Sequence, residues 1–151
     1  MPDTPACASV RIRPKQRTKV STAASGKTLS RIHGGQSYAM TLSYNPMLKT
    51  EAAPLIAFLQ AQNGRHGIFR VRVPQVNGGG DLGKFVNFVG DTKLHMITSD
   101  SPRAYSPEPR GTGAVDAQPS YMRCSLARDA QEISLDKRGL IQLTIELIER
   151  V

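Results

Sequence analysis

Residues 36–74 carry the pattern that most restricts the fold, because they predict a strand, a helix and a second strand in immediate succession. From Tyr38 to Tyr44 the large side chains occupy every second position, which is typical of a strand with one buried face. Asn45-Pro46 ends that strand, since proline cannot donate to a sheet ladder. The alternation returns from Phe69 to Val73. We therefore predict one helix lying across a sheet.

The helix is predicted from apolar side chains at helical spacing between residues 51 and 63. Thr50 is the expected N-cap, and Pro54 is expected in the first turn, where its missing N–H costs little. Asn63-Gly64 is the expected end of the helix, because glycine tolerates the left-handed backbone found there. The predicted core consists of large apolar side chains on these elements and on the last strand: Tyr38, Met40, Leu42, Leu55, Ile56, Phe58, Leu59, Phe69, Val71, Ile141, Leu143 and Ile145.

The composition favours a mainly β protein with one α-helix. The chain has 13 Gly, 10 Pro and no Trp, which is typical of short strands joined by many turns. Its length suits a single domain, and it contains no apolar run long enough for a membrane span. We expect a basic arm or loop at residues 8–31, the strand–helix–strand core at 36–74, an insert with a long loop at 75–120, and closing strands at 121–151.

The net charge of +8 is concentrated at the N-terminal end, since residues 1–50 carry +7 and residues 51–151 carry +1. Basic side chains recur at every second position of one stretch, so an extended backbone would direct them to one side. Three interpretations stay open: a solvated arm, docking on an acidic protein surface, and contact with nucleic-acid phosphates. The basic residues concerned are Arg11, Arg13, Lys15, Arg17 and Lys19.

Two other segments are predicted to lack regular structure. Residues 21–35 are rich in Ser, Thr and Gly, and their SGKT sequence lacks the small residue and buried strand that precede a phosphate-binding loop. Residues 99–120 contain four prolines, which favours a long loop with a functional role. Arg103, Tyr105 and Arg110 are the candidate interface residues in that loop.

The sequence contains no recognisable catalytic or metal-binding motif. His33, His66 and His95 are scattered, and the two cysteines, Cys7 and Cys124, are far apart and lack ligand-spaced partners. We therefore predict free thiols, no cofactor and no enzymatic activity.

The order of these features resembles a group of phage proteins, the tail-tip proteins of the lambda minor tail protein M type, which are related to siphophage distal tail proteins. An aromatic strand precedes Asn-Pro, an acid-starting helix, a Gly-containing turn and a Phe-containing strand closed by Pro. The resemblance covers residues 30–74 and 130–151. The matching residues are Glu51, Phe58, Leu59, Gly64, Gly67, Phe69 and Pro74, together with a closing strand at 139–151.

The resemblance implies a tail-tube-like β-sandwich or small barrel flanked by one helix. It also implies a virion protein, assembled in the host cytoplasm, that forms a ring at the tail tip. Its partners would be copies of itself, commonly six, the tail tube protein, and hub or fibre proteins, with passing contact with DNA as a further option. A terminator or other connector component, and a nucleic-acid-binding module led by the basic arm, are the alternatives.

Overall fold

A computed structural model describes residues 1–2, 5–75, 81–111, 113–116 and 119–151. The protein is mainly β with one α-helix, as the sequence predicts, and its main sheet is a curled antiparallel half-barrel accompanied by two small sheets. In chain order the elements are β1 (Ser9–Lys15), β2 (Thr18–Thr22), β3 (Thr28–Ile32), β4 (Ser37–Ser43), β5 (Met47–Leu48), α1 (Lys49–Ala61), β6 (Phe69–Arg72), β7 (Phe85–Val86), β8 (His95–Asp100), β9 (Arg103–Ser106), β10 (Tyr121–Leu126), β11 (Ile133–Leu135) and β12 (Leu140–Glu149).

The half-barrel has the strand order β1-β4-β12-β10-β6, and β5 and β11 pair with the beginning of β12. Because β12 is ten residues long, it pairs with strands on both sides along much of its length. The strands β2 and β3 form a separate hairpin, and β7, β8 and β9 form a separate three-stranded sheet, which we call the insert sheet. The predicted closing hairpin is confirmed, with Gly139 at a φ of +77° in its turn.

The inner face of the half-barrel holds the hydrophobic core. Alternating residues of β4 and β12 are fully buried there, as the period of two predicts. Helix α1 covers part of this face, with Leu55 buried and Phe58 packed edge-to-face against Phe69 at 5.1 Å. Phe85 of the insert sheet and Leu94, which directly precedes β8, belong to the same core. Ten of the twelve predicted core residues are buried, whereas Ile56 and Phe58 are partly exposed.

The predicted start of the helix is wrong by two residues. Leu48 is the N-cap, and its backbone N–H donates to the Glu51 carboxylate at 3.1 Å, so a side chain within the first turn supplies the cap that Thr50 was expected to give. Pro54 is the sixth helical residue and lies in the second turn, where its missing N–H removes one helical hydrogen bond. The predicted end is confirmed, since Asn63 has a φ of +51° directly after the helix.

Both segments that were predicted to be irregular contain strands. Residues 21–35 include most of the β2–β3 hairpin, whose turn is closed by a 2.9 Å hydrogen bond from the N–H of Ala23 to the carbonyl oxygen of Lys27. The loop at 99–120 contains β9, which pairs with β8. Pro102 and Pro107 flank β9 without interrupting it, so the four residues between them keep their donors. Among the residues described, no helix combines the length and apolar character needed to cross a bilayer.

Candidate functional site

The outer face of the half-barrel, meaning the side turned away from the core, collects basic side chains from distant parts of the sequence. Strand register defines its rows, because residues directly opposite each other in an antiparallel pair lie on the same face. One row runs Arg11–Thr41–Glu146 across β1, β4 and β12. Arg13 and Lys15 lie on the same face of β1, since they follow Arg11 at intervals of two.

The other edge of the sheet, at β10 and β6, supplies a second group of basic residues on the same outer face. Arg70 and Arg72 alternate with buried residues of β6 and therefore face outward. Arg70 is directly opposite Arg123 of β10, and the N–H of Arg150 donates to the carbonyl oxygen of Arg123. The outer face thus carries seven cations: Arg11, Arg13, Lys15, Arg70, Arg72, Arg123 and Arg150.

Three of these arginines are held by contacts across the outer face. Arg13 donates to the Thr41 hydroxyl at 3.2 Å. The Nε of Arg150 donates to the hydroxyl of buried Ser125 at 2.8 Å. The Arg70 guanidinium lies 4.4 Å from the centre of the Tyr121 ring. The guanidinium groups are therefore partly ordered before any ligand arrives.

Acidic side chains are few on this face, and Glu132, which precedes β11, lies beside it in a pocket shared with Thr144 and Glu146. Among the outward-facing residues of its five strands, all within the described part of the chain, Glu146 is the only acid, and it pairs with Arg128 at 3.1 Å. Between the two basic groups, β4 and β12 present the small polar residues Thr41, Ser43 and Thr144 and the apolar residues Ala39 and Ile148. The centre of the outer face is therefore partly polar and partly apolar, with a group of long basic side chains on each side.

The five alternating basic residues of the sequence are divided between two structures. Arg11, Arg13 and Lys15 lie on the half-barrel, whereas Lys19 belongs to β2, and the carbonyl of Arg17 accepts a hydrogen bond from His33 at the base of the hairpin. We call residues 17–33 the basic hairpin, since they include four basic and no acidic residues. All ten of its strand residues are exposed.

The basic hairpin has two chemically different faces. Lys19 is directly opposite Arg31, which places like charges side by side on one face. The other face has no charged residue and includes Val20 and Ile32, which are 61% and 80% exposed. The SGKT sequence forms the turn of this hairpin, where Gly26 has a φ of +79°.

The candidates Arg103, Tyr105 and Arg110 belong to the insert. Arg103 forms an ion pair with Asp81, and hydrogen bonds from Lys84 and Arg103 lower the pKa of that carboxyl. Tyr105 packs edge-to-face on Phe88 with ring centres 4.9 Å apart. Arg110 is exposed and lies outside the strands. The structure does not bring these three residues together with the cations of β1.

A buried polar cluster joins the half-barrel to the insert, and no sequence pattern predicts it. The two carboxylate oxygens of Glu149 accept hydrogen bonds from the N–H groups of Tyr38 and Leu94, at 2.9 and 2.7 Å. Burial raises the pKa of Glu149, while these two N–H donors lower it. His95 is fully buried nearby and contacts the Asp91 carboxylate at 3.3 Å. Glu149 is bound to two backbone N–H groups, and His95 contacts the carbonyl oxygen of Pro107 and the Asp91 carboxylate, which fits a structural role.

An open cleft of about 800 Å³ lies at the mouth of the half-barrel, lined by apolar residues that include Val10, Leu42 and Val71. Tyr44 also lines this cleft, and burial raises its pKa to about 12. Within the described residues, no group of three or more His, Cys, Asp or Glu side chains is arranged to hold a metal ion. Both cysteines are free, Cys7 exposed and Cys124 buried.

No protein-family model matches this chain, and no curated protein matches it in sequence. A function must therefore be inferred from the two unusual surfaces, the basic hairpin and the outer face. Both are suited to binding other macromolecules through charge and backbone contacts.

Proposed function

We propose that this chain is a structural protein of a long-tailed phage, and that it assembles into a ring at the distal end of the tail tube. There it joins the tube to hub and fibre proteins. The tail setting is supported by the sequence resemblance over residues 30–74 and 130–151. The assembly role is supported by the basic hairpin.

The exposure of the basic hairpin is the observation that carries this proposal. An isolated two-stranded hairpin is at best marginally stable in water, because it buries little apolar surface. Here all ten strand residues are exposed, and Lys19 and Arg31 repel each other across the pair. A neighbouring molecule that covers the hairpin would stabilise it, which is what a subunit of a larger assembly requires.

The two faces of the hairpin define the neighbour that would fit. The uncharged face, with Val20 and Ile32, suits an apolar strip. The opposite face, with Lys19 and Arg31, suits carboxylates on an adjacent subunit or ring. Because exposed charges are screened by salt, high ionic strength would weaken the second contact more than the first.

The mass of the purified chain, measured by light scattering over a range of protein concentrations, tests ring formation. We expect a closed oligomer with a single copy number, alone or after addition of tail tube protein. Replacing Val20 and Ile32 with Ser should reduce the oligomer to monomer. The matched control is Val89→Ser, since Val89 is 65% exposed but lies in the insert.

Two results would overturn the proposal. One is a chain that stays monomeric at all concentrations and with tube protein present. The other is an oligomer that survives the double Ser substitution unchanged. A terminator or other connector protein would use similar surfaces, and antibody labelling of negatively stained phage particles separates the two by the end of the tail that is labelled.

A further inference from the structure

We infer that the outer face of the half-barrel binds the phosphate backbone of double-stranded nucleic acid without regard to base sequence. This site is distinct from the basic hairpin, and it does not depend on the proposed ring. Its residues come from four strands or their immediate ends, and the fold alone brings them together.

Charge density is the main feature of the outer face. Its five strands and their ends carry seven cations and one acid, Glu146, which is already paired with Arg128. Glu132 adds a second carboxylate beside Thr144. Four strand spacings separate β1 from β6, which is about 19 Å along the sheet at roughly 4.8 Å each. A DNA duplex carries about one negative charge per 1.7 Å of its axis, or roughly eleven over that distance. Few ligands other than a polyphosphate offer so many charges in so small a span.

The centre of the face is mixed in character. Protein interfaces have an apolar centre from which charged residues are depleted. Here β4 and β12 supply the hydroxyl residues Thr41, Ser43 and Thr144 together with Ala39 and Ile148, and most of the charged residues lie on the strands to either side. Nucleic-acid interfaces are more polar and more positive, and hydroxyl groups are common phosphate donors. The composition of the face therefore favours a nucleic acid over an acidic protein.

The aromatic content and shape of the face favour a duplex over a single strand. Proteins that bind single strands stack bases on exposed aromatic rings. The aromatic residue on this face is Tyr121, and the Arg70 guanidinium covers its ring at 4.4 Å. The outer side of a curled sheet is convex, and the five described strands that form it place no helix there that could enter a groove. Contact is therefore expected with phosphates and not with base edges.

The basic residues of the face are mostly of the type that suits phosphate. Six of the seven cations are arginine, whose planar guanidinium binds phosphate oxygens through two parallel hydrogen bonds. Arg13 and Arg150 are already oriented by hydrogen bonds to Thr41 and Ser125. Since part of their rotational freedom is lost on folding, less is lost when a ligand binds.

The test is binding of the full chain to a 20-base-pair duplex of mixed sequence, measured by fluorescence anisotropy from 50 to 300 mM salt. Two triple variants remove the basic groups of each edge separately. One is Arg11→Gln, Arg13→Gln and Lys15→Gln, and the other is Arg70→Gln, Arg72→Gln and Arg123→Gln. The matched control, Lys49→Gln, Lys137→Gln and Arg138→Gln, removes the same charge from exposed positions outside the face.

We expect the wild-type protein to bind with a slope of log K against log salt of about −6, from seven contacts at about 0.9 each. Each triple variant on the face should reduce that slope by about 2.7 and weaken binding at least about tenfold at 50 mM salt. The control should change the slope by less than about one. Replacing Arg70, Arg72 and Arg123 with Lys keeps the charge and should preserve most of the binding.

Several outcomes would overturn the inference. They are no binding at 50 mM salt, equal losses in the control and in the face variants, and loss of binding in the Lys variant. Displacement of the duplex by polyglutamate of matched charge and at matched concentration would assign the face to an acidic protein instead. The inference also requires that a duplex of scrambled sequence binds with the same affinity. A strong preference for one sequence would contradict a backbone-only contact.

Discussion

The carboxylate of Glu149 accepts a 2.7 Å hydrogen bond from the backbone N–H of Leu94, which links the last strand of the half-barrel to the insert. Its other oxygen accepts a hydrogen bond from the N–H of Tyr38, at the beginning of β4. The side chain is buried, so both backbone donors would lack water as an alternative partner. One carboxylate therefore fixes three separate segments of the chain relative to one another.

Glu149→Gln should destabilise the protein by about 1–3 kcal/mol. A glutamine has one acceptor oxygen, so its NH₂ group must face one of the two backbone N–H donors. The midpoint and slope of urea unfolding provide the measurement. The control is Glu146→Gln, whose ion pair with partly exposed Arg128 contributes about 0–1 kcal/mol. If the two substitutions lowered the free energy of unfolding equally, the structural role of Glu149 would be contradicted.

The carboxyl of Glu149 should also make the free energy of unfolding depend on pH, in a direction that follows from its pKa. Burial raises the pKa of Glu149 above its ordinary value of 4.5, so the folded state binds this proton more tightly than the unfolded state. Its contribution to stability is therefore complete below about pH 4.5 and is lost as the pH rises through the folded-state pKa. The difference in unfolding free energy between wild type and Glu149→Gln should fall with rising pH and then become constant. A difference that rises over this range would contradict the prediction.

The sequence predicted the core of the fold because its signals there are local. In β4, β6 and β12 one face is buried, so the alternation of apolar residues is visible within a few positions. The basic hairpin has no buried face, so its strands lack a clear alternation of apolar residues and their sequence predicts a loop. The available signal was a short turn containing Gly26 between two stretches rich in Thr and Ser.

The outer face could not be predicted, because it depends on strand order. Alternation alone shows that Arg70 and Arg72 face away from the core. It does not show that β12 lies between β4 and β10. This strand order places Arg123 and Arg150 on the same face of the sheet as the cations of β1. The net charge of residues 51–151 is only +1, because acidic residues elsewhere in this part of the chain offset the basic residues that lie on the outer face.

Leu55→Ala should destabilise the protein by about 2–5 kcal/mol, because it leaves a cavity between α1 and the half-barrel. Leu55 is fully buried in the core shared by the helix and the sheet. The control is Gln60→Ala on the exposed side of the same helix, which should change stability by less than about 0.5 kcal/mol. Thermal and urea unfolding provide the two measurements. Similar effects at both positions would mean that α1 does not pack as described.

Gly26→Ala should open the basic hairpin and leave the rest of the protein intact. Gly26 has a φ of +79° with open space around it, so the cost of about 1–2 kcal/mol comes from the backbone alone. The matched control is Gly139→Ala, at a φ of +77° and equally open, in the turn leading into β12. Trypsin cleavage at Lys19 or Lys27 should accelerate in the first variant only, and the unfolding midpoint should fall in the second only. A lower midpoint for Gly26→Ala would show that the hairpin is coupled to the half-barrel.

The two cysteines should differ sharply in reactivity towards an alkylating reagent. Cys7 is exposed, whereas Cys124 is fully buried on the inner face of β10, and burial raises the pKa of its thiol to about 12. Because the thiolate is the reacting species, Cys124 should stay unmodified at neutral pH while the protein is folded. Mass spectrometry should show one modification in buffer and two in denaturant, and Cys7→Ser should show none in buffer. Rapid modification of Cys124 in buffer would mean that β10 separates from its neighbours β6 and β12 far more often than the packing around Met122 and Leu126 implies.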